Sequence, residues 1–203
     1  MIILIISDTH GKTEEMLQIL QKEKYDLAIH AGDYDNYDDD PIEHSIITKN
    51  FKYHIRGNHG VTYDIIKKLN INVNEIKNGS INLNYHDEFM KLYCKNIIED
   101  YKEFTIDNKK FLLIHEHYAA TKNWGDQDSF DAYKNGVQKI EQKVKPDFII
   151  CGHTHIAKII KEKKIMIINP GSMVKPRYPQ TTGSYILANF SKGKLTCEIK
   201  YFS

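Results

Sequence analysis

Five stretches of this 203-residue chain bring together side chains that can bind a metal ion or move a proton: Asp8-Thr9-His10, Gly32-Asp33, Gly57-Asn58-His59, His115, and Gly152-His153-Thr154-His155. An imidazole binds transition metals without having to lose a proton at neutral pH, and carboxylates and amides supply the oxygens. His153 and His155, one residue apart beside Gly152, fan out from one backbone turn toward different points, an arrangement that suits two neighbouring ions. Taken singly, each stretch also has a structural reading. Asp8 is a helix-cap type, Asp33 a turn type, Gly57-Asn58 standard turn chemistry, and a His-x-His pair among ten histidines is more often surface than ligand. The recurrence of the pattern argues for a shared centre.

The elements that must position these residues are apolar runs that end where the stretches begin. Ile2–Ile6 is a continuous β-branched and leucine run, the pattern of a strand covered on both faces, and it delivers Asp8 and His10. Residues 27–29 deliver Asp33, 53–56 deliver Asn58 and His59, 111–114 deliver His115, and 148–151 deliver the histidine pair. Ligands gather at the C-terminal edge of strands in layered α/β folds because loops and helix starts converge there.

Between the strands, Met16, Leu17 and Leu20 predict an amphipathic helix over Thr13–Lys22. Tyr63, Ile66 and Leu69 suggest a second helix, and Phe89, Leu92 and Tyr93 a third. Residues 104–106 and 111–114 read as a hairpin. Ser129 reads as the cap of a helix whose Phe130, Tyr133, Val137, Ile140 and Val144 form a core stripe, stopped by Pro146. Residues 158–161, 164–168, 184–190 and 194–201 read as strands, forming a second sheet or the far side of a sandwich.

Twenty-eight Lys and Arg against twenty-seven Asp and Glu leave a formal charge of +1 without a long block of one sign, which gives no case for a nucleic-acid or membrane-surface protein. The acidic residues Asp35, Asp38, Asp39 and Asp40 read as a solvated loop. Cys94, Cys151 and Cys197 lack Cys-x-x-Cys spacing and suit buried thiols in a reducing compartment, so a cytoplasmic location is expected. The length fits one domain, 1–203, with cap or insert elements within 61–110 and 118–136, the latter carrying Trp124.

As an ordered set, Asp8-Thr9-His10, Gly32-Asp33, Gly57-Asn58-His59, His115 and Gly152-His153-Thr154-His155 resemble the signature of calcineurin-like metallophosphoesterases. With the short length and Asn169-Pro170-Gly171-Ser172, they resemble the small bacterial and archaeal phosphodiesterase branch. The resemblance implies an α/β four-layer sandwich of two β-sheets flanked by helices. It implies that Asp8, His10, Asp33 and His155 hold one metal, that Asp33, Asn58, His115 and His153 hold the other, and that Asp33 bridges them. The metals would be divalent transition ions, manganese first, with iron, zinc, cobalt or nickel as alternatives. Two such ions acidify the water between them for in-line attack on phosphorus, and His59 is left as the acid for the leaving oxygen.

Two departures stand out. Gly60 sits where the family often has an acidic residue, and Glu116 sits where it often has the glycine of His-Gly-His. The substrate expected is a small phosphate ester, a diester by preference, although Lys175 and Arg177 could reach a phosphate. The rival readings are a phosphomonoesterase, a nuclease wanting a basic track, and a non-catalytic scaffold like the related retromer subunit. Homo-oligomers remain open.

Overall fold

The computed structural model describes residues 1–34, 41–71, 83–120, 127–173, 176–177 and 180–202. Asp35, Asp38, Asp39, Asp40, Trp124 and Lys175 lie outside the described residues.

The first strand shows how the layers arise. In β1 (Ile2–Ile6), successive side chains point to opposite faces. Ile3 and Ile5 enter one apolar cluster, and Leu4 and Ile6 enter another. Both faces are therefore covered, and each buried isoleucine or leucine contributes about 1.5–3 kcal/mol.

The second sheet repeats this rule. In β5 (Lys109–Ile114), Phe111 and Leu113 join Ile3 and Ile5 in the cluster between the sheets, while Leu112 and Ile114 face away from it. In β6 (Phe148–Ile150), Phe148 and Ile150 point inward and Ile149 outward.

One sheet has the order β10-β9-β1-β2-β3, where β2 is Leu27–His30, β3 Tyr53–His54, β9 Gly183–Ser191 and β10 Lys194–Phe202. The other has the order β4-β5-β6-β8-β7, where β4 is Tyr101–Ile106, β7 Ala157–Glu162 and β8 Ile165–Pro170. Three neighbouring strands are parallel in each sheet, β1-β2-β3 and β5-β6-β8, so their C-terminal ends share an edge.

Against the outer face of the first sheet pack α1 (Thr13–Lys22), through Met16, Ile19 and Leu20, and α2 (Pro41–Asn50), through Ile47. The outer face of the second sheet is covered by α3 (Gly57–Leu69), α4 (Leu83–Glu99) and α5 (Gln127–Val144). The result is the expected four-layer sandwich.

The structure corrects the sequence reading at three points. The last four strands do not form one sheet of their own: β7 and β8 join the second sheet, whereas β9 pairs antiparallel with β1 and carries β10 with it. The fifth helix takes in Ser129, since its first described residue is Gln127, two positions before the cap that the sequence suggests. The third strand stops at His54 rather than at residue 56, because the Arg56 and Gly57 N–H groups turn to the Asp100 carboxylate, at 3.0 and 2.9 Å.

Candidate metal centre

Asp8 and His10 follow β1, Asp33 follows β2, Asn58 and His59 lie in the first turn of α3, His115 follows β5, and His153 and His155 follow β6. Asp8, His10, Asp33, His153 and His155 all have positive φ, between 46° and 68°. Such a conformation costs non-glycine residues roughly 1–3 kcal/mol and persists only where the surroundings enforce it. The enforcement is visible in hydrogen bonds. The N–H groups of Asp8 and His10 donate to the carbonyls of Gly32 and Asp33, and that of His153 donates to Asp8 Oδ2 at 3.1 Å.

Two glycines let the loops approach. A Cβ on Gly152 would collide with Ser7 Oγ and Asp8 Oδ2, and one on Gly57 would collide with Asp33 Oδ1. Behind the loops, Asn169 donates to the Gly152 carbonyl at 2.6 Å and to Thr154 Oγ1 at 3.0 Å, while Ser172 donates to the Asp8 carbonyl at 2.8 Å. The Asn169-Pro170-Gly171-Ser172 stretch is therefore a brace for the histidine loop. His30 is a second brace: its Nδ1 accepts from the Gly32 N–H at 3.2 Å, which leaves Nε2–H to donate to Thr9 Oγ1, also at 3.2 Å.

At the front, donor atoms converge. His155 Nε2 is 3.2 Å from both His10 Nε2 and Asp8 Oδ1. Asp33 Oδ2 is 3.3 Å from His115 Nε2 and 3.7 Å from His59 Nε2. Asn58 Oδ1 is 2.9 Å from both His115 Nε2 and His153 Nδ1. Three overlapping groups, Asp8-His10-His155, His10-Asp33-His59 and Asp8-Asp33-His115, each offer ligand atoms within 4.8 Å of one another. All seven residues expected to bind metal are brought together, and His59 stands among the donors as well.

The electrostatics fit divalent cations. Asp8 and Asp33 are almost wholly buried, and burial opposes their charge. It is outweighed at Asp8 by the close approach of His155 and the charge of His115, and at Asp33 by the charge and hydrogen bond of His115, so both pKa values fall below the ordinary carboxylate range. Burial keeps His10 and His153 neutral, with pKa values lowered to about 4 and about 3, the form in which imidazole ligates.

At His115 burial acts downward too, but the charge and hydrogen bond of Asp33 push its pKa up to about 10. His115 Nδ1 donates to the Ala31 carbonyl at 2.6 Å, which aims Nε2 at the cluster. Asp8 Oδ1 is buried without a well-formed hydrogen bond, as suits an oxygen shaped for an ion.

A cleft of about 290 Å³ opens onto this cluster, lined by His10, Asp33, Asn58, His59, His153, His155 and Arg177. Sequence reasoning left Arg177 open as a phosphate contact or a surface residue, and it missed Asp100 and His30. Asp100 acts from 43 residues beyond Gly57, and no local spacing announces such a partner.

The sequence profile of the calcineurin-like phosphoesterase superfamily domain matches residues 1–193. The chain is 25% identical over 175 residues to a phosphodiesterase of Methanocaldococcus jannaschii, covering 82% of this chain and 81% of that protein. In fold it is similar to a predicted phosphoesterase from Streptococcus pneumoniae, with a TM-score of 0.60, 16% identity, and coverage of 98% of this chain and 88% of the other. It is also similar in fold to Vps29 from Entamoeba histolytica, solved in complex with zinc, with a TM-score of 0.51, 16% identity and full coverage of both chains.

Proposed function

Since the chain belongs to the calcineurin-like phosphoesterase superfamily, we propose that it is a metal-dependent phosphoesterase that acts on small phosphodiesters. The observation that carries this reading is the convergence of seven buried or half-buried donors from five strand ends beside an open cleft. In this reading Asp8, His10, Asp33 and His155 hold one divalent ion, Asn58, His115 and His153 hold a second, and Asp33 is shared. Manganese is the first choice. Two such ions supply a water of lowered pKa and neutralise charge on the phosphoryl oxygens.

The protein's own groups do the rest. His115, its Nδ1 tied to the Ala31 carbonyl, and Asp33, whose Oδ1 accepts the His59 N–H at 2.9 Å, keep the donors fixed in direction. His59 lines the cleft, with its ring 4.5 Å from that of His10, and can hold a proton at Nε2 for the departing oxygen. The domain is read as one catalytic unit, with substrate selection by elements within 61–110 and 118–136. Three cysteines, none of them in a disulfide, suit work in a reducing, cytoplasmic setting.

Arg177 favours a second reading. An exposed guanidinium lining the cleft suits a dianionic monoester as well as a diester. A panel of phosphodiesters and phosphomonoesters, assayed with Mn²⁺, Fe²⁺, Zn²⁺, Co²⁺ and Ni²⁺, separates the two. Metal-dependent turnover with higher kcat/KM on diesters is expected. Preference for monoesters across several leaving groups would install the second reading, and absence of turnover with every metal would point to a scaffold.

A further inference from the structure

Glu116 directly follows His115 after β5, and its side chain is fully buried. A carboxylate removed from water needs positive charge or strong donors nearby. It accepts from the Tyr93 hydroxyl at 3.3 Å, and its backbone carbonyl accepts from the Tyr133 hydroxyl at 2.5 Å, so α4 holds the side chain and α5 the main chain. That support directs Glu116 Oε1 to within 3.0 Å of His153 Nδ1.

The same ring nitrogen stands 2.9 Å from Asn58 Oδ1, which in turn stands 2.9 Å from His115 Nε2. Four donor atoms from two loops and a helix start thus follow one another at nearly equal steps. Two ligand atoms at right angles around one divalent ion, each about 2.1 Å from it, are about 3 Å apart. The steps match that spacing, and Glu116 Oε1 occupies the next position in the series.

We infer that Glu116 is a direct ligand of the ion held by Asn58, His115 and His153, giving that ion a second carboxylate beside Asp33. The inference rests on the two-ion reading of the centre. It changes what the second position prefers: an added hard, anionic oxygen strengthens binding and shifts the choice toward oxygen-preferring ions such as Mn²⁺ and away from Zn²⁺.

The test is calorimetric titration of metal-free protein with Mn²⁺ and with Zn²⁺, checked by elemental analysis, for wild type, Glu116→Gln and Glu116→Ala. Glu116→Gln preserves shape and a carbonyl acceptor for Tyr93 while removing the charge. Two Mn²⁺ ions are expected in wild type. In Glu116→Gln one should bind as before and the other at least about tenfold more weakly, with a smaller loss for Zn²⁺. Glu116→Ala should show the same selective loss.

Two ions in wild type and two at unchanged affinity in Glu116→Gln would overturn the inference while leaving the two-ion centre intact. So would weakening of both ions in step with a lowered melting temperature of the metal-free variants, the mark of a packing role. Fewer than two ions in wild type would overturn the two-ion reading itself.

Discussion

His59 is the residue whose chemistry and metal binding are hardest to separate. Its backbone N–H donates to Asp33 Oδ1 at 2.9 Å, its Nε2 lies 3.7 Å from Asp33 Oδ2, and it falls in a donor group with His10 and Asp33. If it donates a proton to the leaving oxygen, His59→Ala should keep both ions and lower kcat, by about 10² to 10⁴ for strongly basic leaving alkoxides. Nitrophenol, which leaves readily as an anion, should be partly spared. A series of diesters graded by leaving-group pKa, with metal content measured alongside, checks this. An equal loss across the series would instead assign His59 to holding the phosphate, and loss of an ion would make it a ligand. At this scale the convergence of the candidate ligands was legible because each sits in a short block beside glycine or at the end of an apolar run. Glu116 was visible only as a departure, since its contact with His153 depends on two strands being neighbours.

Among the elements, α3 carries the heaviest duty, because its second and third residues are Asn58 and His59. A helix start leaves N–H groups without intrahelical partners, and the backbone here offers no side-chain cap from Arg56. Asp100, between α4 and β4, supplies it from a distance by accepting from the Arg56 and Gly57 N–H groups. Burial raises the pKa of Asp100, and the two backbone donors work against that rise. Asp100→Ala should cost about 0.5–2 kcal/mol of stability, in the range of a lost helix cap, and should lower kcat by loosening Asn58 and His59. Thermal unfolding and amide exchange at residues 56–59 check it, and wild-type protection at those amides would show that Asp100 does not hold the turn. Helix and strand positions were largely readable from periodicity, as Met16, Leu20, Tyr133 and Val137 show by their burial. The start of α3 was not, since its Gly57-Asn58 sequence also fits a turn and its cap is 43 residues away.

For the whole molecule, two parallel three-strand units bring their C-terminal edges together across a shared apolar core, and the donors meet there. The four-layer architecture followed from the resemblance of the ligand blocks to a family; periodicity alone left the C-terminal strands unassigned. The alternation of β9 fits either sheet, and its pairing is decided by Ile5 with Ile186 and Leu4 with Leu187, contacts that span almost the full chain. No helix among the described residues is long and apolar enough to cross a membrane. The proposed two-ion centre bridged by Asp33 can be seen by anomalous scattering from crystals grown with Mn²⁺. Two peaks are predicted, about 3.5–4 Å apart, with Asp33 touching both, His10 and His155 on one side and Asn58, His115 and His153 on the other. A single peak, or none under saturating metal, would contradict it.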